Sequence, residues 1–290
     1  MMSRPGREAP KRGPTDRPRP MPELPEVETT RRGIEPHLVG RTVAELRVHE
    51  PRLRWPVPDA VQALTGATVS AVRRRAKYLL IDVPAGSAIV HLGMSGSLRL
   101  ADPAEPRRKH DHVELVVDSG AVLRYHDPRR FGCLLWQPGR GPAHALLAEL
   151  GPEPLSDDFD GATLFAATRK KNVAIKVLIM NARTVVGVGN IYASEALFVA
   201  GIRPGRAARR ITRAEAWRLA DAIKEVLTRS IVQGGTTLRD FVGGDGTPGY
   251  FAQQLFVYGR GGEACRRCGG PVRQRVLGQR STFWCPGCQS

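Results

Sequence analysis

The sequence predicts an α+β protein: an antiparallel β domain with a leading helix, then a helical domain, then a small metal module. Three observations predict it. Seven short β runs, punctuated by Gly, Pro and Asp, fill residues 42–136. Helical patterning takes over after residues 151–158. The last 26 residues carry two C-x2-C pairs. At 290 residues the chain has room for one large domain or two ordinary ones with buried cores.

Residues 1–20 hold six basic residues, two acidic residues and five prolines, a composition that buries no core and predicts disorder. Order is expected to begin at Met21. The segment ELPEVETTRRGIEPHLVG reads as a helix, with Pro25 early, Glu26 and Glu28 at the positive end of the dipole, and Gly40 at the exit. TVAELRV, ATVSAV, YLLIDV, SAIVHLG, DHVELVVD, AVLRYHD and GCLLW then read as strands of an antiparallel sandwich or barrel, with a hairpin turn at 118–120. GPEPLSDD at 151–158 reads as a hinge or linker. NIYASEALFVAG begins with Asn190 in a capping position and stops at Gly201. ITRAEAWRLADAIKEVLTRSIVQGG carries a capping box, Thr212 with Glu215, and an apolar stripe of Leu219, Ile223, Val226 and Leu227. The following stretch to residue 251 is too rich in glycine for regular structure.

Charge narrows the function classes. Lys and Arg number 44 against 28 Asp and Glu, for a net charge of +16. Such a field suits a polyanion, most often nucleic acid. No apolar run approaches the ~18 residues of a membrane span, and no basic amphipathic helix suits a membrane surface. Residues 1–20 lack the apolar core of a secretory signal, so a cytoplasmic setting is expected.

The strongest local motif is C-x2-C-x16-C-x2-C, formed by Cys265, Cys268, Cys285 and Cys288. Four thiolates on two knuckles close a tetrahedral zinc site with no open position, hence a structural one. Redox C-x-x-C chemistry is the alternative, but it needs one pair in a βαβ setting. Cys133, in GCLLW, reads as a core residue. The hairpin between the knuckles turns near LGQRS and puts Arg280 at its tip, flanked by Arg273 and Arg275, where it suits a phosphate or a groove. VVGVGNIY at 185–192 fails as a dinucleotide fingerprint because Tyr192 stands at the third glycine position. It reads better as an anion site, in which Gly187 and Gly189 allow close approach and the helix N-terminus at Asn190 favours a phosphate. Met94 in HLGMSGSLR, and Arg129 with Phe131 in DPRRFG, lie on turns. In a DNA-binding protein an apolar residue so placed can serve as a wedge in the base stack. His110 and His112 share a strand face without an evident third metal ligand.

Together these motifs resemble the formamidopyrimidine-DNA glycosylase family. PELPEVET, RRAKYLL, HLGMSGSLR, KHDHVEL, DPRRFG, LGPEPLSDDF, VGVGNIYASEALF, QGGTTLRDF, GYFAQ and the four-cysteine unit occur in the family's order over residues 21–289. The resemblance implies a β-sandwich with flanking helices, then a helix–two-turn–helix domain with a zinc finger. The implied boundaries are 22–150, 151–250 and 251–290. It implies excision of oxidised purines from double-stranded DNA by nucleophilic attack of the Pro22 amine at C1′, followed by β,δ-elimination. Glu23 is the implied acid at the sugar ring oxygen. Lys77 is linked to β-elimination and Arg280 to δ-elimination. Met94, Arg129 and Phe131 fill the hole left by the extruded nucleotide. His110, Lys176, Asn190 and the basic pair with Lys171 contact the backbone, and the loop 234–249 covers the flipped base. One structural Zn2+ and a monomeric state are also implied.

Two departures stand out. Asn172 occupies a position where the family commonly carries a basic residue, although Lys170 and Lys171 adjoin it. In addition, Pro22 is internal as written, and its amide nitrogen has no nucleophilic lone pair. The reading therefore expects residues 1–21 to be an untranslated or removed extension, with translation starting at Met21. Retention of that extension would favour a non-catalytic damaged-DNA binder; processing by a protease is a further route. An endonuclease VIII-like enzyme for oxidised pyrimidines is the nearest catalytic alternative, but its usual opening resembles PEGPE rather than PELPE.

Overall fold

The computed structural model describes residues 22–235 and 255–290. Helix α1 (Leu24–Leu38) has Pro25 in its first turn, and Gly40 just beyond it takes φ +78. Pro36 lies inside the helix, which ends two residues later. Eight strands follow: β1 (Val43–Val48), β2 (Ala71–Arg75), β3 (Tyr78–Val83), β4 (Gly86–His91), β5 (Ser97–Ala101), β6 (Asp111–Val117), β7 (Val122–His126) and β8 (Cys133–Pro138). They form two antiparallel sheets, ordered β1-β6-β7-β5 and β2-β3-β4-β8. Alternate residues face the other sheet, so Val113, Leu115, Leu123 and Tyr125 meet Leu79, Ile81, Val90 and Leu134 in one core. The sandwich reading holds, and the barrel reading does not. Cys133 is buried here, and burial pushes its thiol up to about 11.

Two strands differ from expectation. β5 was hidden in the Gly-bounded HLGMSGSLR segment. β2 runs through Arg73, Arg74 and Arg75 rather than ending before them. Its arginines are tolerated because Arg73 pairs with Asp82, Arg74 with Glu28 and Glu153, and Arg75 with Glu153. Charge is also buried on the first sheet, where Arg124 Nε lies 2.7 Å from Glu114 and Arg99 meets Asp111.

The chain then forms α2 (Ala145–Ala148), α3 (Gly161–Thr168), α4 (Ile175–Ile179), α5 (Asn190–Val199) and α6 (Arg213–Gly235). The expected capping box is present: Thr212 N donates to Glu215 Oε2 at 2.8 Å and Glu215 N donates to Thr212 Oγ1 at 3.2 Å. Leu219, Ile223, Val226 and Leu227 are buried in the helical core with Tyr192 and Leu197. Leu24 of α1 joins this core, whereas Val27, Ile34 and Leu38 of the same helix join the sandwich core. The C-terminal hairpin is β9 (Arg273–Leu277) and β10 (Arg280–Trp284), joined by Gly278 and Gln279 at φ 54 and 61. Two positive φ values in a two-residue loop match a hairpin with right-handed twist. Arg280 therefore opens β10 beside the turn rather than capping it, and Arg273 pairs with Trp284 at the far end. The loop 234–249 falls almost wholly outside the described residues, as does the segment 1–21.

Candidate active site

The first turn of α1 reaches across to α5. Leu24 N donates to Gly187 O at 3.2 Å. The buried Glu23 carboxylate then accepts from Gly189 N at 2.8 Å, Ile191 N at 3.0 Å and Tyr192 N at 3.4 Å. The anion expected at this helix N-terminus is thus Glu23 of the chain itself rather than a phosphate. The free N–H groups and the positive end of the helix dipole favour it there. Asn190 is the first helical residue and Gly189 is the cap. A Cβ on Gly187, whose φ is +78, would lie 2.4 Å from Leu24 Cδ1, and one on Gly189 would lie 2.2 Å from Glu23 Cδ. Both glycines make room for α1. Burial pushes the Glu23 carboxyl above its ordinary value, while the Lys77 charge and the three N–H groups pull it partly back. Glu26 supports the turn: its Oε2 accepts from Glu23 N at 2.8 Å and its Oε1 accepts from Tyr192 OH at 2.5 Å. Pro22, also buried, sits directly before this anchor.

Lys77 lies in the two-residue turn Ala76–Lys77 between β2 and β3, with Ala76 at φ 54. Glu153, in the irregular 151–158 segment, clamps that turn. Its carboxylate accepts from Ala76 N at 2.7 Å, Arg74 Nη1 at 2.6 Å and Arg75 Nη1 at 2.9 Å. The Lys77 charge also acts on His91, which burial, Lys77 and Arg54 together bring down to about 4.

A cleft of ≈ 560 Å³ is lined by Arg54, His91, Gly93, Met94, Arg130, Phe131 and Arg280. The sandwich thus contributes Met94 and Phe131 to the same opening as the Arg280 of the C-terminal hairpin. Phe131 is 44% exposed, a large apolar ring left in solvent, and the Arg129 guanidinium sits 4.7 Å from its centroid. His110 is half-buried, edge-on to His112 and His126. Lys171 is exposed, and the neighbouring Asn172 accepts from Arg209 Nε at 2.5 Å.

Lys176 lies inside the protein. It is 1% exposed, and its Nζ donates to Asn190 Oδ1 at 2.6 Å, Thr282 Oγ1 at 2.9 Å and Ser281 O at 3.1 Å. Burial brings it down to about 8, against the pull of Glu23. An ammonium with its three protons donated inside the protein reaches a phosphate only by giving one up. Here it ties α4, α5 and the hairpin together. Asn190 Nδ2 completes the tie by donating to Ser281 O at 3.0 Å.

The four cysteines converge. All four Sγ atoms lie within 4.8 Å of one another, with Cys265–Cys288 at 3.9 Å and Cys268–Cys285 at 3.4 Å. A zinc tetrahedron with Zn–S bonds of about 2.3 Å has edges of about 3.8 Å. The donor set and its spacing fit one structural Zn2+. Among the described residues this is the one cluster with such convergence.

Three family models match the chain: the formamidopyrimidine-DNA glycosylase N-terminal domain over residues 21–134, the H2TH domain of the same enzyme over 150–242, and a zinc finger found in FPG and IleRS over 262–290. A formamidopyrimidine-DNA glycosylase of Thioalkalivibrio sulfidiphilus is 65% identical over 270 residues, covering 93% of this chain and 100% of the relative. This chain belongs to the formamidopyrimidine-DNA glycosylase family. Another family member, from Stutzerimonas stutzeri, is 59% identical with the same coverage. The crystal structure of the Thermus thermophilus glycosylase is 42% identical, with a TM-score of 0.80 over 92% of this chain and 98% of that one. The Lactococcus lactis glycosylase in complex with DNA containing an abasic site is 33% identical, with a TM-score of 0.81 over 93% and 100%.

Within this glycosylase fold, residues that the motifs did not single out also enter the site. Arg54 and His91 line the cleft. Tyr258 is near enough to hydrogen-bond Asn190 and to feel both Glu23 and Arg280. Glu153 and Asp127 hold turns that carry site residues. Local patterning does not signal Glu153, because its partners Arg74, Arg75 and Ala76 lie 77 to 79 residues away.

Proposed function

We propose that this protein is a bifunctional DNA glycosylase and AP lyase that removes oxidised purines, 8-oxoguanine and formamidopyrimidines, from duplex DNA. The observation that carries the reading is the buried Glu23 carboxyl, fixed on the N-terminus of α5 next to Pro22 in the chain and within the field of the Lys77 charge.

The Pro22 amine attacks C1′ of the damaged nucleotide, and the base departs with the electrons of the glycosidic bond. Glu23, with its raised proton affinity, delivers a proton to the sugar ring oxygen as the ring opens. The resulting iminium is cationic and acidifies the C2′ proton. Loss of that proton expels the 3′ phosphate, and a second elimination expels the 5′ phosphate. Lys77 and Arg280 hold those phosphates, and His110, Lys171 and Asn190 contact the backbone further out. Met94, Arg129 and Phe131 occupy the space vacated in the stack. When bound, Zn2+ supplies cross-linking only; the cysteines hold the hairpin that presents Arg280.

This chemistry requires a free amine at Pro22, so the active form begins there. We place the domains at 22–150, 151–250 and 251–290. We take the active form to be a monomer acting in the bacterial cytoplasm. No described helix is long and apolar enough to cross a membrane.

Borohydride trapping tests the proposal. A chain beginning at Pro22 is mixed with a duplex carrying 8-oxoguanine opposite cytosine, reduced, and digested for peptide mass mapping. The expected adduct is on the Pro22 nitrogen, and a chain retaining residues 1–21 gives none. Binding without an adduct would favour a damaged-DNA binder, and an adduct only with oxidised pyrimidines would favour the endonuclease VIII-like reading.

A further inference from the structure

Met94, Arg129 and Phe131 lie on turns that connect different sheets. Residues 92–96 carry the chain from β4 in one sheet to β5 in the other, and residues 127–132 carry it back from β7 to β8. Backbone meets backbone between them. A Cβ on Gly93, at φ +65, would lie 2.4 Å from Gly132 N, and one on Gly132 would lie 2.3 Å from His91 O.

Asp127 stands at this junction and is wholly buried. Its Oδ1 accepts from Ser95 Oγ at 2.7 Å, next to Met94, and from Arg129 N at 3.3 Å. Its Oδ2 accepts from Gly132 N at 2.9 Å, next to Phe131, and lies 3.3 Å from Tyr125 OH, whose one proton is shared with His91 O at 3.1 Å. Ser95 Oγ, Arg129 N and Gly132 N are donors that reach both oxygens, so the site demands an acceptor on each.

We propose that Asp127 is the positioning residue that locks the two turns into a single rigid wedge, so that Met94, Arg129 and Phe131 enter the DNA as one unit. The proposal rests on the DNA reading of those three residues. Extruding a nucleotide costs a few kcal/mol of stacking, and the wedge must bear the reaction force. Two turns free to slide past each other would yield to it. Asn at position 127 keeps the size but turns an NH2 toward donors on one side. Ser95→Ala cuts only the link to the Met94 turn.

The test uses the full chain and needs no catalysis. A duplex with 8-oxoguanine opposite cytosine carries 2-aminopurine beside the lesion, and its fluorescence rise reports unstacking. D127N and S95A are each expected to slow the rise about tenfold, the scale of one hydrogen bond to a charged group. Affinity for undamaged duplex stays within about twofold, because phosphate contacts dominate it. In a Met94→Ala background D127N adds less than about twofold, since the wedge it aligns is already blunted. Unchanged rates in D127N and S95A, or a full additional loss in the M94A background, would overturn the proposal. If D127N fails to fold, S95A and its cycle with M94A decide in the same way. A wild-type chain whose signal is no greater on the lesion duplex than on undamaged duplex would overturn the DNA-damage reading, and the wedge proposal with it.

Discussion

Replacing Gly189 by alanine adds one methyl group where α5 receives the Glu23 carboxylate. The backbone at Gly189, φ −108 and ψ −159, is extended and open to alanine, so the substitution tests contact rather than strain. The new Cβ would meet Glu23 Cδ at 2.2 Å, Oε1 at 2.4 Å and Oε2 at 2.5 Å. Ordinary carbon contact begins near 3.5 Å, so the carboxylate must retreat by about 1.3 Å. That takes the hydrogen bonds from Gly189 and Ile191 to about 4 Å, beyond bonding range. Two bonds to a charged group at about 1.5–3 kcal/mol each give a loss near the middle of that range, about 4 kcal/mol. For a chain of this size the melting temperature falls by roughly 8–16 °C. A reacting group displaced by about 1 Å costs on the order of a hundredfold in rate. Single-turnover borohydride trapping and thermal denaturation read both effects. In a Glu23→Gln background the same methyl should cost little further activity. A Gly189→Ala chain that traps DNA within about twofold of wild type and melts within about 2 °C of it would refute this role for Gly189.

Removing zinc with a chelator should loosen the small core of Val257, Val272 and Phe283 and abolish lesion binding, while the circular dichroism of the sandwich persists; Cys285→Ser should behave alike. Arg280→Ala should weaken binding and lower the slope of log K against log salt by about one, measured by fluorescence anisotropy, because one phosphate contact is lost. Asp111 governs acid stability: burial would raise its carboxyl, but the His126 hydrogen bond, the Arg108 N–H and the Arg99 charge together bring it from 3.8 down to about 2. A depressed acid stabilises the fold above its unfolded value and loses that contribution as pH falls through the folded one. About 2 kcal/mol should therefore vanish between about pH 4 and pH 2, and Asp111→Asn should flatten denaturant midpoints across that window.

Much of this was legible because the signals are local. The capping box at Thr212, the stripe through Leu219 and Ile223, and the cysteine spacing each depend on residues a few positions apart. β5 was not legible, because Ser97–Ala101 follows directly on a Gly-bounded turn and carries Arg99 toward a buried Asp111. The extension of β2 through its arginines carries no local signal, since the partners Glu28 and Glu153 lie 46 and 79 residues from Arg74. The anion site at α5 was identified by its physics but given the wrong occupant. Its chemistry favours any anion, and only tertiary packing brings Glu23 there. For Lys176 the resemblance implies a backbone contact, and no local pattern signals that its side chain is buried against Asn190, Ser281 and Thr282.

The division of α1 between two cores limits how this protein can be taken apart. Leu24 seats in the helical core while Ile34 and Leu38 seat in the sandwich. A sandwich fragment on its own would present Leu24 and a charged Glu23 with nothing to receive them. A helical fragment would lack the carboxylate that satisfies the start of α5. Chimeras that exchange one half between relatives should therefore succeed when the first turn of α1 and the Gly187–Tyr192 segment travel from the same parent. The catalytic turn and its receptor behave as one heritable unit, although about 165 residues separate them in the chain.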